Sequence, residues 1–151
     1  MKRIAVTQRV EVDPRFGERR DCLDQRWITL FQGIGKALIP VPNGIDNTDE
    51  WAASVGIDGI VLSGGNNLVN LGDPKETAPE RDLTETQLLD WAKLVGVPVL
   101  GVCRGMQMMN CYLGGSVEPV PGHVGTKHVI RGLSEFDELR IVNSYHRFSV
   151  T

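Results

Sequence analysis

The run Val97-Pro98-Val99-Leu100-Gly101-Val102-Cys103-Arg104-Gly105 carries an apolar strand straight into a helix through a Gly-x-Cys-x-Gly turn. This feature constrains the fold more than any other. The glycines two places either side of the cysteine remove Cβ atoms where strand and helix crowd each other. The cysteine then sits at the tip of a sharp, strained turn, beside the partial positive charge of a helix N-terminus. The backbone N–H of Arg104 can point at a developing oxyanion. By itself the pattern is equally compatible with a buried structural cysteine flanked by turn glycines.

The rest of the chain agrees with a strand–helix alternation. Ile4 to Thr7 reads as a buried strand, and Arg9 to Arg20, with Pro14 and Gly17, as a loop. Leu23, Trp27, Leu30, Phe31 and Ile34 recur at helical spacing, and Gly33 and Gly35 mark that helix's end. Ala37 to Val41 is a second strand, terminated by Pro40 and Pro42. Thr48 to Ala53 predicts a short helix and Gly59 to Ser63 a third strand. Leu68 to Leu83 reads as a long polar loop. Thr84 and Gln87 match a capping box for a helix that turns Leu88, Leu89, Ala92 and Val95 inward. Val97 to Val102 is the fourth strand, followed by a helix from Arg104 to Leu113 that Gly114 and Gly115 stop. Beyond Ser116 helical period disappears, and strand-like runs occur around Val117, His128 to Ile130 and Leu139 to Val142. The expected architecture is α/β, an open, mostly parallel sheet flanked by helices. In such sheets the functional crevice lies beyond the carboxyl ends of the strands.

Composition narrows the function. The 151 residues fit one domain spanning 1–151, and a net charge of −3 without a basic stripe argues against nucleic acid as a partner. No apolar run approaches the roughly 20 residues of a membrane helix, and the N-terminus lacks a signal peptide's apolar core. Three cysteines, Cys22, Cys103 and Cys111, predict no disulfide framework and a cytoplasmic setting. Cys111, next to Met108 and Met109, reads as core.

A second glycine turn, Gly64-Gly65, follows the third strand. If that strand neighbours the fourth, its N–H groups complete an oxyanion hole beside Cys103. A simple turn or an anion-binding loop would use the same residues, whereas a P-loop is excluded because no Gly-Lys-Ser/Thr follows. His123 and His128 are spaced as zinc ligands can be, but Cys103 and Cys111 lack the spacing of a structural zinc site, so no metal is expected.

Taken together, Ile4-Ala5-Val6-Thr7-Gln8-Arg9, Gly59 to Asn66, Pro79-Glu80-Arg81-Asp82, Val97 to Gln107 and Val142-Asn143-Ser144-Tyr145-His146 resemble the class I glutamine amidotransferase family. They are closest to its gamma-glutamyl hydrolase-like branch. The segment Arg20 to Trp27 is similar to gamma-glutamyl-CDP-amidate hydrolases. The resemblance implies a flavodoxin-like amidotransferase fold. It implies that Cys103 attacks a gamma-carbonyl to form a gamma-glutamyl thioester, and that the N–H groups of Gly65 and Arg104 hold the oxyanion. It places Gly64, Gln107, Asn143, Ser144 and His146 against the glutamyl group. It puts Arg81 and Asp82 in a lid loop without a chemical role. It implies a small-molecule gamma-glutamyl substrate and no cofactor. It is compatible with a homo-oligomer, or with a synthase that receives ammonia.

One part of the family pattern is missing. The family's histidine base and its acid lie in a distal His-Pro-Glu segment, and this sequence reaches Thr151 before one occurs. None of His123, His128 and His146 is followed two places on by an acid. A positioned base contributes roughly 10²–10⁴ in rate, so weak turnover by these 151 residues is expected, as is a sheet edge left open. A non-catalytic homologue that binds ligand or a partner chain is the third reading.

Overall fold

The computed structural model describes residues 1–130 and 140–151. Four parallel strands form the central sheet: β1 (Arg3–Thr7), β4 (Ala37–Val41), β5 (Gly59–Leu62) and β6 (Val99–Gly101). Their order is β4-β1-β5-β6. Between β1 and β4 lie a hairpin, β2 (Arg9–Val12) and β3 (Arg19–Cys22), and the helix α1 (Arg26–Gly33). The helices α2 (Thr48–Val55) and α3 (Pro79–Val95) flank β5, and α4 (Arg104–Tyr112) follows β6.

Side-chain alternation divides the sheet between two cores. Ala5, Ile60 and Leu62 face α2, α3 and α4, where they pack with Ala52, Leu88, Leu89, Ala92 and Met108. Val6 and Val61 face the other way, against Phe31 of α1, with Trp27 and Leu38 beside them. Full burial of a leucine such as Leu88 stabilises by about 1.5–3 kcal/mol, so the α2–α4 layer dominates. The second face is thinly covered. Leu100, opposite Val61 in the register, is 60% exposed.

The C-terminal part is antiparallel. β7 (Val117–Pro119) pairs with β10 (Phe148–Val150), and β8 (Val124–Ile130) pairs with β9 (Arg140–Tyr145) through a bulge between Val124 and Thr126. The Gln107 side chain donates to the Phe148 carbonyl at 3.1 Å and ties this part to α4.

Several sequence expectations need correction. Arg9 to Arg20 is not a loop throughout, because Arg9-Val10-Glu11-Val12 alternates charged and apolar residues and pairs antiparallel with Arg19 to Cys22. Gly17, at φ +68, lies in the connecting turn. Pro40 does not end the second strand but lies inside it, opposite Val6. β4 is an edge strand, and its residues alternate toward and away from β1, so the N–H that proline lacks would face outward. Leu68 to Leu83 contains a short 3₁₀ turn, Pro74–Glu76, and the first turn of α3. That helix begins at Pro79 because proline suits the first helical position and Glu80 and Asp82 complement the helix dipole. Thr84 therefore caps nothing. Its hydroxyl donates back to the Glu80 carbonyl at 2.9 Å, while Gln87 accepts from Thr48 at 2.6 Å. Leu88, Leu89 and Ala92 point inward as expected, but Val95 is exposed at the helix end. The expected strand start at Leu139 lies outside the described residues.

Candidate functional site

The cleft opens at the carboxyl ends of the parallel strands. Its volume is about 450 Å³, and its lining includes Gly65, Asn66, Cys103, Arg104, Gln107 and His146. Such a volume suits a small molecule.

Cys103 is the N-cap of α4, with φ 54° and ψ −108°, and its side chain is exposed. A non-glycine residue in that region is strained, and such strain persists only where the surroundings impose it. Here the elbow glycines impose it. A Cβ on Gly105 would lie 2.0 Å from the Leu62 carbonyl oxygen, and one on Gly101 would lie 2.6 Å from the Met106 nitrogen. Strand β5 and helix α4 thus approach closely enough to force the turn. β5 is also paired with β6, so the two glycine turns meet as anticipated: a Cβ on Gly64 would stand 3.5 Å from the Cys103 Cβ.

Beneath these turns lies a buried ionic network that the sequence reading missed. Arg81 is fully buried on the first turn of α3. Its guanidinium donates to the carbonyls of Ser63 (2.7 Å), Gly64 (3.1 Å) and Gly65 (2.9 Å), and to Glu85 Oε1 (2.9 Å). Glu85 is also fully buried. It accepts from the Thr7 hydroxyl at 2.7 Å and, through its other oxygen, from Arg104. Arg104 reaches Asp82 as well. Burial pulls the Arg81 pKa down to about 10 despite the adjacent Glu85, which leaves it charged at neutral pH. Arg81 and Asp82 are therefore helix residues under the site, not part of a lid loop. The signal was present as Arg81 and Glu85 at helical i,i+4 spacing, hidden by starting the helix at Thr84.

Asn66, at φ +50, holds the hairpin to this loop. Its amide accepts from Val10 N–H and donates to the Val10 carbonyl, both at 2.9 Å. Arg9 lines the same wall.

The other wall carries His146, with His123 and His128 behind it. His146 Nε2 lies 2.9 Å from His123 Nδ1, and its Nδ1 lies 3.3 Å from the buried Ser144 hydroxyl. Burial, then the charges of His123 and His128, hold the His146 pKa below its ordinary value of 6.5. Both ring nitrogens of His146 are engaged away from sulfur. Asn143 is exposed on β9, opposite Lys127 and outside the cleft lining. Of the predicted residues, Cys103, Gly65, Arg104, Gln107 and His146 share the cleft. Gly64 abuts Cys103, and Ser144 reaches the cleft through His146. Cys111 packs against the larger core, as expected.

Known proteins place this arrangement. The gamma-glutamyl-CDP-amidate hydrolase of Campylobacter jejuni is 31% identical over 97% of this chain and 71% of its own length. The carbamoyl phosphate synthase small chain of Maricaulis maris is 31% identical over 92% of this chain and 34% of its own. A crystal structure from Thermoplasma acidophilum, assigned as one component of a GMP synthase, superposes with a TM-score of 0.62 at 22% identity. It covers 99% of this chain and 67% of that one, and so shares the fold. The sequence profile of Peptidase C26 matches residues 4–151. Fold, sequence profile and relatives agree: the chain belongs to the Peptidase C26 family, a class I glutamine amidotransferase-like family of amide hydrolases.

Proposed function

We propose that residues 1–151 form a single domain whose Cys103 cleaves a gamma-glutamyl amide. The observation that carries this reading is the strained, exposed Cys103 standing against the Gly64-Gly65 turn in a cleft of small-molecule size. The Cys103 sulfur attacks the gamma-carbonyl carbon and a carbon–sulfur bond forms. The N–H groups of Gly65 and Arg104 hold the oxyanion. The carbon–nitrogen bond then breaks, and the amine leaves with a proton. Water hydrolyses the thioester, releasing glutamate and restoring the thiol. Gln107 and His146, with Ser144 behind it, receive the glutamyl end, and Asn143, outside the cleft lining, takes no part. No metal or organic cofactor enters this chemistry.

Similarity to the Campylobacter jejuni enzyme supports a leaving group of the phosphoramidate class. The likeness to the carbamoyl phosphate synthase small chain favours a second reading, in which the ammonia passes to a synthase partner. Three unpaired thiols suit a cytoplasmic setting, and no helix among the described residues is long and apolar enough to cross a membrane.

The test is affinity labelling with L-gamma-glutamyl chloroketone, followed by peptide mass mapping. Labelling confined to Cys103, faster for the L than the D form and blocked by a gamma-glutamyl amide, is expected. Equal labelling of Cys22, Cys103 and Cys111 would sink the reading. Glutamate release from glutamine, against release from a gamma-glutamyl phosphoramidate, separates the two leaving groups.

A further inference from the structure

The geometry points to Arg81 as the positioning residue that aims the oxyanion hole, acting on one donor through the backbone and on the other through Glu85 and Arg104. The inference deepens the reading of Cys103 as an acyl-transfer nucleophile and rests on it.

A peptide unit is planar and trans, so each N–H points opposite the preceding carbonyl. The guanidinium of Arg81 holds the Gly64 and Gly65 carbonyls from beneath the loop. The N–H groups of Gly65 and Asn66 must therefore point away from Arg81, on the side where both residues line the cleft with Cys103. Among the described residues, neither N–H meets a protein acceptor. Their backbone needs such a clamp. Gly65 at φ +89 and Asn66 at φ +50 are two successive left-handed residues, and an unrestrained peptide between them can flip.

The second donor is fixed from the same place. Arg104 contributes its backbone N–H from the first turn of α4, and its side chain shares Glu85 with Arg81. One carboxylate thus spans the supports of both donors. Thr7 steadies it by donating to the oxygen that Arg81 uses, and the Thr7 hydroxyl in turn accepts from Ser63 N–H at 3.0 Å. Arginine is required because its planar fork reaches three carbonyls and a carboxylate at once, whereas a lysine ammonium is a compact point charge.

The test compares two reagents at Cys103. p-Nitrophenyl acetate acylates the sulfur through a tetrahedral oxyanion and expels p-nitrophenolate. Iodoacetamide alkylates the same sulfur by direct displacement of iodide and forms no oxyanion. In Arg81→Lys, acylation is expected to slow by on the order of 10²-fold, the cost of losing one oxyanion donor, while alkylation holds within about twofold. Glu85→Gln, which preserves shape, should show the same selectivity with a smaller loss, and it serves if the lysine variant fails to fold. Both rates falling together, or neither changing, overturns the proposal. Selective loss in a chain that ignores every gamma-glutamyl amide would uphold Arg81 and reject the substrate class instead. Where gamma-glutamyl turnover is measurable, kcat should fall with KM nearly unchanged.

Discussion

The two walls of the cleft are built on different physics. The wall at the ends of β5 and β6 rests on fully buried charge, with Arg81 and Glu85 closed from solvent and Arg81 fastened to the carbonyls of one loop. The wall carrying His146 rests on an antiparallel hairpin whose Val124, Val129, Ile141 and Tyr145 remain substantially exposed. A buried ion pair is not a cheap source of stability, since desolvation offsets much of its attraction. It does impose geometry, because each partner is costly to misplace. On the acyl-transfer reading proposed above, the chemistry demands fixed donors on the first wall, while the second has only to receive ligand and can be built more loosely.

Glu85→Ala breaks this comparison hardest. It leaves Arg81 an uncompensated buried cation and Arg104 with Asp82 alone, and should cost about 3–5 kcal/mol, read from the urea midpoint. A cost under about 1 kcal/mol would mean that water reaches the network. Gly105→Ala comes next. Its new Cβ meets the Leu62 carbonyl, and forcing β5 and α4 apart should cost about 1–3 kcal/mol.

The histidine wall should answer to pH. The folded His146 pKa lies below 6.5, so on acidification the unfolded chain takes up the proton first. Stability contributed by the neutral ring is present above 6.5 and is lost as pH falls from there toward the lower folded value. His146→Asn should flatten that slope in melts collected between pH 7 and 5, and an unaltered slope would place the titration elsewhere. The smallest effect is expected at the rim. Arg147 and Glu76 are solvent-exposed partners at 3.3 Å, and Arg147→Ala should cost less than about 1 kcal/mol, lower still in high salt.

The reach of the sequence follows the same division. The parallel strands and the cysteine elbow were legible because apolar runs and glycine spacing are local signals with steric causes, as Gly101 and Gly105 show. The hairpin β2–β3 was missed because Pro14 and Gly17 lie between two charged segments whose pairing is visible only across the turn. Arg81 was missed for another reason. Nothing local marks an arginine for burial, since its partners are the carbonyls of Ser63, Gly64 and Gly65, sixteen and more residues away. Starting α3 at Thr84 hid the one local clue, the i,i+4 step to Glu85. For the histidines, sequence spacing set His123 and His128 apart as a pair, whereas the fold adds His146 to them, in hydrogen-bond contact with the His123 ring.

Pro40 gives the sheet a direction of growth. On the outer rim of β4 the backbone groups that face away from β1 belong to Leu38 and Pro40, and the second of these has no hydrogen to offer. A strand arriving there would find one of its two donors missing. The rim beyond β6 carries no proline within the strand, so any added strand, from whatever polypeptide, has one side on which to register.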